Sequence, residues 1–251
     1  MNINSDINIL GSMADWNLIR VFMMDKVLYE TDENIHEFTH IKTQGSVRRF
    51  VRAINRTFLH FKSKDVEHLF LSLIEAEQLS GDALLFLFWN ASANNDLVRY
   101  LTDKVYFPAF YGGRITIRKE EVEACIVELK SSEDELQDWT SETIKTTARK
   151  YIALLGKFGL MEGAKSKEIR HPHLNDKMFI LYAYWLTAIS ETNNLIKSPW
   201  LPYNFMEKQV FLDRLLQKRY SKYINVIYTG DRLTIEPALP YTEIYQHVSK
   251  S

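Results

Sequence analysis

The sequence predicts a mainly α-helical protein, because apolar residues recur at helical spacing along the chain and because glycine and proline are scarce. Nine glycines and six prolines among 251 residues are too few for the many tight turns of a β-sandwich or β-barrel. Hydrophobic residues make up 46% of the chain, which is enough to build a core and excludes a disordered polyelectrolyte. We therefore expect long helices joined by short loops.

The first 112 residues are expected to form an N-terminal helical bundle. Apolar stripes at a period of 3.6 residues predict successive helices at 13–29, 46–61, 64–77, 82–91 and 95–107. Pro108 and the Gly112-Gly113 pair are expected to close this series. We place a domain boundary there, so that residues 1–112 form the first predicted domain.

Residues 113–190 follow a different pattern, which is typical of a winged helix-turn-helix. Thr116 is the expected N-cap of a helix that runs to Lys130, and a short acidic turn follows it. Thr140 or Ser141 should then cap a helix over 142–158, before a small hairpin near Met161 and Ile169. In such modules the second helix lies in the major groove of DNA and the hairpin touches the backbone or minor groove.

The remaining residues, 191–251, are predicted to pack on the preceding domain as a helix and a β-hairpin. A hydrophobic helix at 175–190 leads into this part, and a further helix is expected at 204–220. Alternating β-branched residues around Thr229-Gly230-Asp231 predict the hairpin. The expected fold is therefore a helical bundle, a winged-helix-like domain and a C-terminal helical and β-hairpin segment.

Charge is segregated along the chain, although the formal net charge is only −1. Residues 41–64 carry seven basic side chains and no acid, and residues 143–173 carry seven bases against two acids. Local field rather than total charge decides whether a polyanion is attracted, so both stretches are candidate DNA contacts. The candidate residues are Arg48, Arg49, Arg52, Arg56, Lys145, Arg149, Lys150, Lys165, Lys167 and Arg170. A plainer interpretation is that these are solvated helix faces paired with the acidic blocks.

The sequence carries no motif that calls for catalysis, a metal or a cofactor. Phosphate-binding glycine loops, the G-x-S-x-G elbow and H-E-x-x-H are all missing from the chain. His171 and His173 are two potential ligands, which are too few for a metal site, and Cys125 is expected to be a buried, inert thiol on an apolar helix face. We expect a non-enzymatic protein without cofactor or metal.

No stretch of the sequence predicts a membrane anchor. The longest apolar runs, 83–89 and 178–189, are shorter than the roughly 20 residues that a spanning helix needs. The first 13 residues hold no lysine or arginine and do not read as a secretory signal. The expectation is a cytoplasmic protein with no membrane partner.

Several local motifs together resemble a known protein family. They are Gly11-Ser12-Met13, Asp15-Trp16, R-R-F-x-R-x-I-N-R at 48–56, T-x-R-K-E-E-V at 116–122 and S-E-T-I-K-T-T-A-R-K-Y-I-A-L-L-G-K-F-G-L-M at 141–161. This pattern is similar to the BrxA family of bacteriophage-exclusion (BREX) defence systems, over about residues 11–190. Members have often been described as inner-membrane proteins, a description from which this sequence departs.

The resemblance implies a non-enzymatic, nucleic-acid-binding component of a phage-defence system. The family is encoded beside a DNA methyltransferase, ATPases and an alkaline-phosphatase-like protein, which are the implied protein partners. By position, the arginine helix at 48–56 and the Lys145/Arg149/Lys150 helix are its candidate contacts with double-stranded DNA. Phosphate contacts would dominate and leave little sequence preference. Two alternatives remain open: a protein adaptor that docks those partners without nucleic acid, and an RNA-binding helical module.

Overall fold

The computed structural model of the protein describes residues 3–13, 16, 19, 43–77, 79–163 and 167–250. The predicted mainly α-helical class is confirmed. The predicted helix at 13–29 falls almost wholly outside the described residues, as does Lys165. None of the helices in the described ranges has both the length and the apolar character needed to cross a bilayer.

The described helices and strands are short to medium in length. In chain order the α-helices are α1 (Asp6–Leu10), α2 (Gln44–Thr57), α3 (Lys64–Glu77), α4 (Gly81–Asn94), α5 (Asp96–Leu101), α6 (Phe107–Tyr111), α7 (Lys119–Lys130), α8 (Ser141–Lys157), α9 (Asp176–Ile189), α10 (Lys208–Leu215) and α11 (Ile244–Ser249). The strands are β1 (Met161–Glu162), β2 (Glu168–Ile169), β3 (Ile224–Tyr228) and β4 (Leu233–Pro237).

These elements form two compact units. Unit 1 comprises Met1–His60 and Leu79–Arg170, and unit 2 comprises Phe61–Gln78 and His171–Ser251. The grouping differs from the three segments expected at 1–112, 113–190 and 191–251, because α3 packs with α9 and α11 rather than with its sequence neighbours. Local sequence patterns define helices but do not define which helices share a core.

Side-chain caps begin several helices where the sequence predicts them. The Thr140 hydroxyl accepts a hydrogen bond from the Thr143 N–H at 3.2 Å, which confirms Thr140 as the cap of α8. Ser80 and Asn95 cap α4 and α5 in the same way. Each cap satisfies a backbone N–H that the helix itself leaves without a partner. Gly159, with φ of 74°, follows α8 in the left-handed conformation that often ends a helix.

Pro108 does not end its helix, contrary to expectation. A π-helical turn at Thr102–Tyr106 joins α5 to α6, and α6 continues through Pro108 to Tyr111. A proline inside a regular helix clashes with the carbonyl four residues earlier, and the wider π turn just before it relieves that crowding. The Gly112-Gly113 pair, with Gly113 at φ of 67°, then closes the segment as predicted.

The predicted N-cap at Thr116 is wrong, because this residue belongs to a small sheet. Thr116 forms an antiparallel bridge with Glu168, and the Ile169 N–H donates to the Ile115 carbonyl at 2.7 Å. The same β2 residues pair with β1, so that Met161 faces Ile169. Helix α7 therefore starts only at Lys119, without a side-chain cap.

Helix α1 packs against both α2 and α8 in unit 1. At its C-terminal end the approach is close: a Cβ on Gly11 would lie 2.5 Å from the Lys150 carbonyl oxygen. Beside this contact the rings of Trp16, Phe58 and Phe158 form a cluster with centroids 5.4–6.0 Å apart. Unit 1 thus joins its two most basic helices through one short helix and a shared aromatic cluster.

Unit 2 is built around α9, which is buried nearly all round. Its Tyr182 and Tyr184 hydroxyls each donate 2.8 Å hydrogen bonds to loop carbonyls, those of Trp200 and Tyr223. The β3–β4 hairpin around Gly230 is present as predicted. The helix predicted at 204–220 is shorter, because Phe205 adopts φ of 60° and cannot continue a right-handed helix.

Replacing Gly11 by alanine should destabilise the protein, because the new methyl group collides with backbone atoms of α8 that cannot move independently. Overpacking of this kind costs about 1–3 kcal/mol. The matched control is Gly45→Ala in α2, where the added Cβ meets nothing within 4 Å. That control should leave the free energy of unfolding equal or up to about 1 kcal/mol higher. Urea unfolding followed by circular dichroism measures both; equal effects would contradict the packing described.

Cys125 should react with thiol reagents only slowly in the folded protein. It lies on the buried face of α7, as predicted, and burial raises the pKa of its thiol to about 11, with Glu128 adding to the shift. At pH 8 such a thiol is about one-thousandth thiolate, against roughly a quarter for an exposed cysteine. Dithionitrobenzoate should label it at least about a hundredfold faster in denaturant. Rapid labelling under native conditions would contradict this burial.

Candidate nucleic-acid interface

The arginine helix predicted at 48–56 is α2, and its charged face is exposed. Arg48, Arg49 and Arg52 are exposed, whereas Val47, Ala53 and Ile54 on the opposite side are buried in unit 1. The helix is therefore amphipathic in the sense predicted, with its cations on the solvent side.

Three of these arginines line one cleft of about 390 Å³, together with residues of α1 and the segment before α8. Its wall includes Asn4, Asp6, Arg49, Arg52, Arg56 and Trp139. Trp139 directly precedes Thr140, the N-cap of α8. The cleft thus places α2 arginines beside the N-terminal end of α8, within one unit.

Arg56 is the one cleft arginine that forms an ion pair within the described residues. Its guanidinium lies 3.0 Å from a carboxylate oxygen of Asp6, which is almost fully buried. Burial raises the pKa of Asp6, although the charges of Arg56 and Arg52 act in the opposite direction. Arg56 thus holds α1 in place and carries a partly neutralised charge.

Arg49 and Arg52 differ from Arg56 in this respect. No carboxylate in the part of the chain that the structure describes forms an ion pair with either guanidinium. An arginine guanidinium offers five N–H donors in a planar fork that matches phosphate oxygens. These two side chains are therefore placed to accept an anion in the cleft.

The second predicted basic segment, on α8, is only partly accessible. Lys145 and Arg149 are exposed, but Lys150 is half-buried. The reason is the C-terminal end of α1, where Gly11 lies against the Lys150 backbone. The outer face predicted for α8 is thus narrower than the sequence pattern indicates.

Lys157, at the end of α8, has a structural partner. Its ammonium donates to the carbonyl oxygens of Leu10 and Met13 at the end of α1, and it lies 5.8 Å from the Trp16 ring centroid. Burial lowers its pKa, and the charge of Lys150 lowers it further. A cation at the C-terminal end of a helix stabilises the helix dipole, so Lys157 acts on α1.

The basic residues of the predicted wing differ in exposure and in their contacts. Arg170 is exposed and lies 3.7 Å from Glu162 across the hairpin. Lys167 is half-buried, with its ammonium 3.9 Å from the position that a Cβ on Gly156 of α8 would occupy. The charge that the hairpin presents to solvent is therefore smaller than its sequence indicates.

Sequence reasoning missed the contribution of the N-terminal residues to the site. Asn4 and Asp6 complete the cleft wall, and no local pattern in residues 3–10 points to this role. Trp139 also lines the cleft, and the sequence analysis assigned it no role. In the ranges that the structure describes, no three His, Cys, Asp or Glu side chains are close enough to hold a metal ion.

Comparison with known proteins identifies the family. The sequence model of the BrxA family matches residues 22–182, well over half of the chain. No curated protein and no solved structure matches this chain. The family match includes α2, α7, α8 and the β1–β2 hairpin, the elements that carry the predicted contacts. The chain belongs to the BrxA family and is a BREX-associated protein.

Proposed function

We propose that this chain is a non-enzymatic accessory protein of a BREX phage-defence system that binds double-stranded DNA through unit 1. The observation that carries the proposal is the pair Arg49 and Arg52, which face a cleft without ion-pair partners among the described residues. Backbone phosphates are the anions that such a pair fits, and phosphate contacts supply most of the affinity of sequence-tolerant DNA binding.

The order of elements in unit 1 supports the proposal. Helices α7 and α8 are joined by a ten-residue segment that contains a 3-10 turn at Asp134–Leu136, a β1–β2 hairpin follows, and Thr116 forms an isolated bridge with β2. We interpret this order of elements as a winged helix, a module in which the N-terminal residues of the second helix contact bases in the major groove. Lys145 and Arg149 are the exposed cations on that helix.

The cleft and α8 would act on the same duplex. Because Trp139 lines the arginine cleft and directly precedes the cap of α8, a groove-bound α8 brings the flanking phosphates near Arg49 and Arg52. Such contacts carry no base information, so little sequence preference is expected. The methyltransferase, ATPases and phosphatase-like protein of the system are the proposed protein partners.

Replacing Arg49 and Arg52 together by alanine should weaken duplex binding and its salt dependence. Each lost phosphate contact reduces the slope of log affinity against log salt by about 0.9. The measurement is fluorescence anisotropy with a 30-base-pair duplex over a series of salt concentrations. The matched control is Lys197→Ala with Lys208→Ala, two exposed lysines of unit 2. The slope measured for the control should differ from the wild-type slope by less than about half of the change expected for one lost phosphate contact.

An unchanged slope in the arginine variant would remove α2 from the interface. No wild-type binding even at low salt would overturn the proposal, and the arginines would then dock an acidic protein surface. If single-stranded RNA competes for the protein more strongly than duplex DNA does, RNA rather than duplex DNA is the ligand.

Glu142 offers a separate test of α8. It is an exposed acid in the first turn of this helix, where it would repel phosphates of a groove-bound duplex. Glu142→Gln should therefore raise duplex affinity by about two- to fivefold at low salt. Glu128→Gln, at an exposed acid of α7, is the control and should have a smaller effect. Equal effects would indicate that only net charge matters.

A further inference from the structure

The arginine cleft of unit 1 is larger than phosphate contacts alone require. Its volume of about 390 Å³ falls within the range of roughly 300–1,000 Å³ that is typical of sites for whole small molecules. A single phosphate group occupies much less space than this. The cleft therefore has room for a larger group that is attached to the phosphate.

Trp139, which lines this cleft, differs from the other tryptophans of the chain. Those at positions 16, 89, 185 and 200 each pack against at least one aromatic ring. Trp139 is half-buried, and within the described ranges its indole makes neither a ring contact nor a cation–π contact. An aromatic face without such a partner, in a cleft lined by arginines, is the arrangement with which proteins bind unpaired nucleobases.

The position of Trp139 is fixed by its backbone. Its N–H donates to the Leu136 carbonyl at 2.9 Å, and its carbonyl accepts a hydrogen bond from the Lys130 ammonium at 2.6 Å. The next residue, Thr140, caps α8. Both polar backbone groups are thus engaged, so the indole is the part of this residue that is available to a ligand.

Asn4 adds a hydrogen-bond donor of fixed orientation to the cleft wall. Its side-chain oxygen accepts from the Asp6 N–H at 3.0 Å and from the Asn95 amide at 2.9 Å. The NH₂ group of Asn4 makes no hydrogen bond with the part of the chain that the structure describes. Nucleobase edges carry carbonyl and ring-nitrogen acceptors, which suit such a donor.

The two arginines of the cleft match the charge of one nucleotide within a strand. Arg49 and Arg52 are three residues apart on α2, so their Cβ atoms lie about 5–6 Å from each other. Each nucleotide inside a strand has one phosphodiester on either side, and each phosphodiester carries a single negative charge. Among the described residues of the wall the one carboxylate, Asp6, is paired with Arg56.

A base that remains in a duplex cannot enter this cleft. Both of its faces are covered by neighbouring base pairs, whereas the cleft is enclosed by α1, α2 and Trp139. Only a nucleotide that is unpaired or has left the stack can place its base against an aromatic side chain in this way. The occupant is therefore a single unpaired nucleotide.

We propose that the arginine cleft binds one unpaired DNA nucleotide beside a duplex, with its base stacked on Trp139 and its flanking phosphates bound by Arg49 and Arg52. The inference rests on the proposed duplex binding by unit 1, because Trp139 directly precedes the cap of α8. A single-stranded overhang and a mispaired base both supply such a nucleotide.

Fluorescence anisotropy with a family of matched duplexes tests the proposal. All share one core of about 12 base pairs, roughly one turn of DNA, so that few alternative positions exist. The wild-type protein should bind a duplex with a thymidine overhang about tenfold more tightly than the blunt duplex, the gain that stacking one base supplies. An abasic overhang keeps the phosphates and should lose most of this gain.

Variants of Trp139 test its role through the ratio of overhang affinity to blunt affinity, measured for each protein. The ratio should fall to about one in Trp139→Leu and should be partly retained in Trp139→Phe, which keeps a ring. The control is Tyr228→Leu, at a half-buried aromatic residue of β3 in unit 2, and it should retain the wild-type ratio. If Trp139→Leu does not fold, the abasic duplex decides with the wild-type protein alone.

A duplex with one central mismatch separates the two sources of the nucleotide. A gain with overhangs alone identifies a strand end, and a gain with the mismatch alone identifies a base that leaves the stack. Equal affinity for blunt, overhanging and mismatched duplexes overturns the proposal, as does an abasic overhang that binds as tightly as thymidine. Duplex binding by unit 1 would survive either result, since only absent binding of the blunt duplex removes that function.

Discussion

Helix α1 is held by contacts with two other helices at once, and the proposed interface depends on it. Five residues cannot form a stable helix alone, so tertiary contacts must fix it. The Asp6–Arg56 ion pair secures one end, and the Lys157 ammonium on the Leu10 and Met13 carbonyls secures the other. Without α1, the cleft would lose a wall and a basic face of α8 would open. Arg56 therefore stabilises unit 1 from within the same cleft in which Arg49 and Arg52 are proposed to contact DNA.

Much of the fold is predictable from local signals and the rest depends on distant contacts. The side-chain cap at Thr140, the left-handed Gly159 and the β3–β4 hairpin follow from neighbouring residues alone. Thr116 misleads because its cap-like sequence is overridden by strand pairing with Glu168, more than fifty residues away. The grouping of α3 with α9 is likewise invisible to periodicity, since an apolar stripe indicates burial but not the partner.

The candidate site shows the same division. Charge patterning located α2, and Arg49 and Arg52 are exposed as predicted. Counting charges cannot show which cations are already engaged: Arg56 with Asp6, Arg170 with Glu162, and Lys157 with carbonyl oxygens. Charge counting along the sequence also misses a cavity in unit 2 that Lys177, Arg219 and Lys222 line. These cations come from α9 and from the segment before β3, about forty residues apart. Only the folded chain brings Lys177 beside Lys222.

The π-helical turn at Thr102–Tyr106 sets the rotational register of helix α6. Each residue of a regular helix advances the side-chain direction by about 100°, so one extra residue in a turn rotates every later position by that amount. With the side-chain directions set by this turn, Phe107 and Phe110 are buried. The Thr102 hydroxyl, within the turn, lies 3.1 Å from the hydroxyl of Tyr151 in α8. Shortening this turn by one residue would restore regular helix geometry while turning both phenylalanines away from the core. In this segment chain length is therefore constrained as strictly as residue identity.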